Sequence, residues 1–370
     1  LSLPPPARST APDLIRGLGP LETTSLVVGG IIGVSIFLVP SAVGREVGSP
    51  SLALAAWVIS GLLATCGALS YAELASAVPE TGGTYAFLRR IYPGPTAFLF
   101  GWSMFFVIAP AAMAVPAVMA ATYAGRFLER AGISEPWNTR QIAVLLLLAV
   151  TAINYLGVKL GGKTQNLLAL LKITALIAVI FICFAFGAPD FGVLAIPKPA
   201  DQTIARSIAA LGTAMIMTIF SFAGWHFPTQ VAGEIREPSR TIPRAIIVGL
   251  GIVLVLYLAA NLAFLTVLPS DRFKTSERVA VDAMELAMGP VGADVIAVAV
   301  ILSAIGTLNA QILNYPRIAF AMARDGLFFT AIAKVHPAHR TPSNAIAALG
   351  MMAAIFALSA NYQTILGYFA

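Results

Sequence analysis

Charge is what this chain is short of. Its 23 Lys and Arg and 17 Asp and Glu make up only 11% of 370 residues, while 58% are hydrophobic. Soluble domains carry about 25% charged residues, so an ordinary soluble domain is excluded and a polytopic membrane protein is indicated. The net charge of +6 is no nucleic-acid footprint, because the basic residues sit in short loops between apolar runs. Cysteine is nearly absent: Cys66 and Cys183 both lie inside apolar runs, which excludes a disulfide framework. Histidine numbers three, and only His336 and His339 stand close together; with no Cys or carboxylate cluster nearby they make a poor metal site. No Ser-His-Asp or Cys-His arrangement is recognisable at membrane depth, and no phosphate-cradling glycine loop is present. Neither an intramembrane hydrolase nor an ATP-driven pump is supported, and no cofactor is expected. No cleavable signal peptide is expected from these residues; residues 1–17 read as a cytoplasmic tail, Pro-rich and polar over Leu1–Pro12, and residues 18–370 as one transmembrane domain.

What is present is a series of long apolar runs. Nine fall at about 18–41, 50–75, 95–128, 140–158, 164–187, 207–233, 243–268, 290–324 and 342–360, and 363–370 opens a tenth. Stretches such as PETGGTYAFLRR, GEIREPSRTIPRA and AKVHPAHRTPS separate them. Loops on the N-terminal side hold Arg89, Arg90, Lys159, Lys163, Arg236, Arg240, Arg244 and others. Loops on the far side hold fewer basic residues, mixed with acids. The positive-inside rule puts the N-terminus in the cytoplasm and the long loop Leu268–Glu285 outside.

Two runs carry a peculiarity. In the first, VVGGIIGVSIF places Gly29, Gly30 and Gly33 about 16 Å along a helix from Leu18, near the midplane of a core about 30 Å thick. Glycine permits non-helical backbone, and a break at that depth must line protein or water rather than lipid. The same glycines also read as a GxxxG packing face, Gly29 to Gly33. The sixth run, with FSFAGWHFPTQ, repeats the feature: Ala223-Gly224 is a candidate unwinding point and Pro228 removes a donor. Runs one and six are five apart, so two halves of five would lie inverted. Interrupted spans in corresponding positions of inverted halves point to a transporter site.

The fifth run holds one charge, Lys172, roughly 12 Å of helix beyond Thr164. A lysine near the bilayer centre costs about 2.5–3.5 kcal/mol on insertion scales. It must face the bundle interior and either find carbonyl partners or lose its proton; the expectation is that its ammonium bonds unwound carbonyls of the first run, where a sodium ion could otherwise sit. A shifted span, with Lys172 nearer the interface, is the alternative. Glu73 is expected to cap or to pair with a loop arginine, Glu234, Arg236 and Arg240 to form an inner charge network or a solvated face, and Asn309 and Asn314 to bond across helices.

Five stretches together resemble the amino acid–polyamine–organocation superfamily, nearest its L-amino-acid transporter-like permeases. VGGIIGVSIFLVP is similar to the first-helix signature, SYAELASAVPETGGTYAFLRRIYPG to the end of helix two and its loop, and FSFAGWHFPTQVAGEIREPSRTIPRAI to the sixth-helix motif. SAIGTLNAQILNYPRIAFAMARDG resembles the eighth helix, and Lys172 falls where sodium-independent members carry a lysine. The resemblance implies an all-α fold of two inverted five-helix repeats (about 18–187 and 207–370), with helices one and six broken and the second repeat incomplete, the ending LGYFA reading as a cut near the start of helix ten. It also implies alternating-access movement of amino acids, with substrate contacts at Ile31, Gly33, Val34, Ser35, Phe220, Ala223, Gly224, His226 and Phe227, Phe220 acting as a lid. The physics agrees: a half-helix starting at Gly33-Val34-Ser35 offers N–H groups to a carboxylate, and half-helices ending near Ile32 and Phe220 offer carbonyls to an ammonium. Where the family has Gly-Ser-Gly this chain has Gly33-Val34-Ser35, and Ala223 replaces a glycine, which implies a smaller or differently shaped pocket.

The reading is an inner-membrane, sodium-independent permease for neutral, small to medium amino acids, an exchanger or proton-coupled importer rather than an enzyme. Its partners are the amino acid and the bilayer; a partner subunit is not legible. The alternatives are a polyamine or organocation carrier, which no mid-depth acid supports, and a non-transporting sensor or inactive fragment.

Overall fold

The computed structural model describes residues 14–92, 94–130, 132, 138–195 and 203–359. The described residues form helices and connections, and the one sheet-like contact is an isolated parallel bridge between Leu18 and Ile235. The expected tail over Leu1–Pro12 and the run from 363 lie outside the described residues.

The first run is two helices, α1 (Pro20–Ile31) and α2 (Ser35–Val47), bent by 41°. It runs further than its apolar stretch suggests, to Val47, where Gly48 closes it in the left-handed conformation at φ 65°. Then follow α3 (Pro50–Ala77), the short connecting α4 (Thr84–Ile91), and α5 (Gly94–Ser103), which passes through a π-turn at Met104–Ile108 into α6 (Ala109–Arg130). α7 (Thr139–Tyr155) and α8 (Val158–Phe186) complete the first half.

The second half opens as the first did, with a broken span: α9 (Ile204–Ser221), an unwound turn, then α10 (Phe227–Gln230). After it come α11 (Pro238–Val267), α12 (Ser270–Thr275), α13 (Val279–Met288), α14 (Pro290–Asn314), α15 (Pro316–Arg324) and α16 (Ser343–Ser359). α1 enters from the N-terminal side and α9 from the far side, so the two broken spans run antiparallel, as an inverted repeat requires. The stretch expected as a long loop after Leu268 is instead two short helices. Val279, Ala280, Val281, Ala283 and Met284 of α13 are buried, and this apolar face packs the connection onto α14.

Among the described residues, six helices, or seven spans with the bent pair, are long and apolar enough to cross a membrane, and α7 and α16 add apolar helices of 17 described residues each. Large apolar side chains point outward all along them, as lipid-facing surfaces require: Phe181 is 64% exposed and Val255 67%. The inward face of α3 is mostly small, with Trp57 the large exception. α3 buries Ala53, Ala56, Ser60, Ala64, Ala68 and Ala72 at helical spacing, and lies close along α9 and α11. A hydroxyl pair, Ser60 to Thr218 at 2.6 Å, ties α3 to α9. α1 is almost wholly enclosed, packed against α8, α11 and α14, and this enclosure positions its break at the centre of the molecule.

Candidate functional site

The break in the first span lies at Ile32–Val34, three residues beyond the first glycine. Gly29 and Gly30 remain helical, so they are not the unwinding points. Each is a point of close approach instead: a Cβ at Gly29 would collide with Gln165 Nε2, and one at Gly30 would lie 2.6 Å from the Phe227 ring. Gly33 does sit in the break, where a built Cβ would make ordinary van der Waals contact with Thr307 Oγ1 at 3.7 Å. The GxxxG reading therefore fails at its second member and the unwinding reading at its first.

A break frees carbonyls at the end of α1, and each needs a donor. Lys172 Nζ donates to Gly29 C=O and Ile32 C=O, both at 2.7 Å, and to Thr307 Oγ1 at 2.9 Å. Ser303 Oγ donates to Ile32 C=O at 3.1 Å. Tyr257 Oη donates to Ile31 C=O at 2.9 Å and lies 3.3 Å from Ser221 C=O, the end of the other half-helix. Lys172 is thus enclosed by protein at the break, only 2% exposed. Its alkyl stem passes so close to Gly306 that a Cβ there would collide with its Cε.

The second break runs over Phe222–His226, where Ala223-Gly224 was expected. Gly224 takes φ +124°, which side chains rarely adopt, and a Cβ on it would stand 2.6 Å from Gly30 C. The two broken spans therefore touch backbone to backbone. Phe222 is buried against Trp57 and Tyr257, ring centroids 6.0 and 5.3 Å away.

The expected site residues divide by exposure. Gly33, Val34 and Ser35 are half-buried at the start of α2, whose first N–H groups have no partner within the helix, and Ala223 is exposed at the other break. Phe220 is exposed on the last turn of α9, opposite the face carrying Thr218. His226 is half-buried with its ring among Tyr71, Trp225 and Phe227. Ile31, Gly224 and Phe227 are buried: Ile31 contributes a carbonyl, Gly224 a turn, and Phe227 packs on Gly30 and Tyr315.

Other expectations need correction. Glu234 pairs not with Arg236 or Arg240 but with Arg317, at 2.7 and 3.1 Å, both side chains fully buried. Arg240 faces only its neighbour Glu237, exposed and 3.9 Å away, and Arg236 lies 3.5 Å from the Arg16 carbonyl. Glu73 is exposed on α3 and makes no ion pair among the described residues. Asn309 does bond across helices, but Asn314 donates to Ala310 of its own helix. His336 Nδ1 accepts backbone N–H groups of Ala338 and His339, which makes it a loop brace. The sequence reasoning missed Tyr257, Ser303 and Thr307. A lone tyrosine in LVLYLAANL, and two hydroxyls four apart in an apolar helix, were the available signals.

Residues 18–370 match the family model described as amino acid permease. Among relatives, the serine/threonine exchanger SteT of Bacillus subtilis (strain 168) is 32% identical over 354 residues, covering 94% of this chain and 78% of its own. The large neutral amino acids transporter small subunit 2 of Mus musculus is 29% identical, covering 96% of this chain and 67% of its own. The human Asc-type amino acid transporter 1 is 29% identical, covering 98% and 69%. Among solved structures, MhsT in complex with L-phenylalanine aligns over 97% of this chain and 81% of its own with a TM-score of 0.64 and 15% identity, a likeness of fold.

Proposed function

The chain belongs to the amino acid permease family, and from that premise we propose a sodium-independent carrier of neutral, small to medium amino acids, working by exchange or proton coupling. The observation that carries the proposal is the Lys172 ammonium held between Gly29 C=O, Ile32 C=O and Thr307 Oγ1. A fixed cation already supplies the positive charge that those carbonyls attract, so no metal ion is needed to complete the broken span. A zwitterion fits the remaining groups. Its carboxylate meets the free N–H groups and positive dipole end at Gly33-Val34-Ser35. Its ammonium meets carbonyls near Phe220 and Ser221, and its side chain lies against Ala223, His226 and the Phe220 ring. Val34 and Ser35 carry Cβ atoms beside the substrate space, which favours side chains of modest size. The excess of Lys and Arg in N-side loops supports a cytoplasmic N-terminus in the cell membrane.

Uptake into proteoliposomes tests the reading. Labelled serine or alanine is expected to enter equally in sodium and in choline medium, faster when the lumen holds unlabelled amino acid if the carrier exchanges, or under an inward proton gradient if it couples to protons. A strict sodium requirement overturns the role given to Lys172. Uptake of putrescine in place of amino acids favours the organocation carrier, and no uptake of either favours a non-transporting component. Phe220→Ala is expected to abolish uptake in folded protein; near-normal uptake removes Phe220 as a lid.

A further inference from the structure

Two turns before Lys172, on the same face of α8, a second buried polar side chain has no part in the reading above. Gln165 is 0% exposed and both ends of its amide are engaged. Its Oε1 accepts from Asn309 Nδ2 at 2.7 Å, and its Nε2 donates to Ser25 C=O in α1 at 3.2 Å. Asn309 Oδ1 in turn accepts from Asn154 Nδ2 at 2.8 Å. A buried amide line therefore runs from α7 through α14 and α8 to α1. The chain makes room for it. A Cβ at Gly29 would strike Gln165 Nε2, and one at Gly161 would stand 2.5 Å from Asn154 Oδ1.

The two ties from α8 to α1 differ in kind. Lys172 bonds carbonyls that the break has freed, so withdrawing it leaves them unsatisfied. Ser25 lies inside α1, where its carbonyl is in register with the Gly29 N–H as an ordinary i→i+4 acceptor. Losing the Gln165 bond leaves no orphan on α1, and the amide left behind can turn to water. A tie that the helix does not need for itself, and that releases without stranding a carbonyl, suits a contact made in one state and broken in another.

We propose that Gln165 is a positioning residue, the releasable tie that holds the α1 half-helix against α7, α8 and α14 and keeps the N-terminal side closed until α1 swings out. The proposal rests on the alternating-access reading, yet its test needs no transported molecule. Thr23 of α1 is 0% exposed. Thr23→Cys in a Cys66→Ser background, in purified protein without substrate, reports opening through its labelling rate with a soluble maleimide. Gln165→Leu is expected to raise that rate about three- to tenfold, the scale of one hydrogen bond lost from the closed state. Gly29→Ala, which displaces the amide, is expected to raise it similarly but to add nothing in a Gln165→Ala background. Unchanged labelling in folded Gln165→Leu, or additive effects of the Gly29 and Gln165 changes, overturns the proposal. If Gln165→Leu does not fold, Gly29→Ala alone decides by the same rate. A failed uptake assay leaves this result readable, and a failed labelling assay leaves the carrier reading intact.

Discussion

At the residue scale the molecule turns on one ammonium group. Lys172 was legible because a lone charge in an apolar run has to be explained, and the carbonyls of a broken helix were the partners expected for it. Its hydroxyl companions were not legible. Thr307 donates to Ser303 C=O within its own helix at 3.1 Å, a bond available to any threonine in any apolar helix, so its second position beside Ile32 leaves no mark on the sequence. Lys172→Met is expected to lower uptake about tenfold or more, a loss of roughly 1.4 kcal/mol in transition-state terms. Each stranded carbonyl costs about 1–3 kcal/mol, but removing a desolvated ammonium recovers a similar amount. The melting temperature should therefore move by less than about 4 °C. Wild-type uptake in Lys172→Met shows that the broken span does not need the cation.

At the scale of elements, the two interrupted spans were readable from glycine, proline and depth, and the structure puts both breaks within a few residues of the expected points. What each glycine does was not readable, because that depends on which chain lies opposite. Gly30 and Gly224 face each other across the two spans, Gly29 faces Gln165, and Gly33 faces Thr307 at ordinary van der Waals distance. Phe227, expected from the motif among the substrate contacts, packs its ring onto Gly30, a neighbour that the motif alone does not disclose. Substitutions separate these roles. Gly224→Ala sets a side chain at φ +124° and 2.6 Å from Gly30 C, and is expected to cost about 1–3 kcal/mol from backbone strain before any clash. Gly30→Ala is expected to destabilise too, and Phe227→Leu to restore part of that loss by clearing the ring. Gly33→Ala meets nothing nearer than 3.7 Å and should melt like the parent, with any defect confined to uptake. Thermal unfolding of the four variants in one detergent checks the order; equal melting of Gly224→Ala and Gly33→Ala refutes it.

At the scale of the whole molecule, the N-terminal side is closed by contacts that join the start of span one to the ends of spans six and eight. Leu18 N–H donates to Glu234 C=O at 3.0 Å and Arg236 N–H to Leu18 C=O at 2.9 Å. The Glu234 side chain then takes the Arg317 guanidinium in a buried two-point pair. Alongside, Tyr85 donates to Asp325 at 2.8 Å, and burial, then that bond, pushes its phenol pKa up, so the phenol keeps its proton to donate. Sequence alone showed Glu234 in a charged loop but hid its partner 83 residues on, because only folding brings α15 beneath that loop. A buried pair is weak evidence for net stability, but losing one member strands the other charge at a cost of about 3–5 kcal/mol. Arg317→Ala is therefore expected to open this side or to unfold it, whereas Glu234→Gln with Arg317→Met removes both charges and should recover most of the loss. The paired variants distinguish a closing contact from incidental packing. If the double change melts no higher than Arg317→Ala alone, the stranded carboxylate is not the source of the damage, and the ion pair is not what holds the N-terminal side shut.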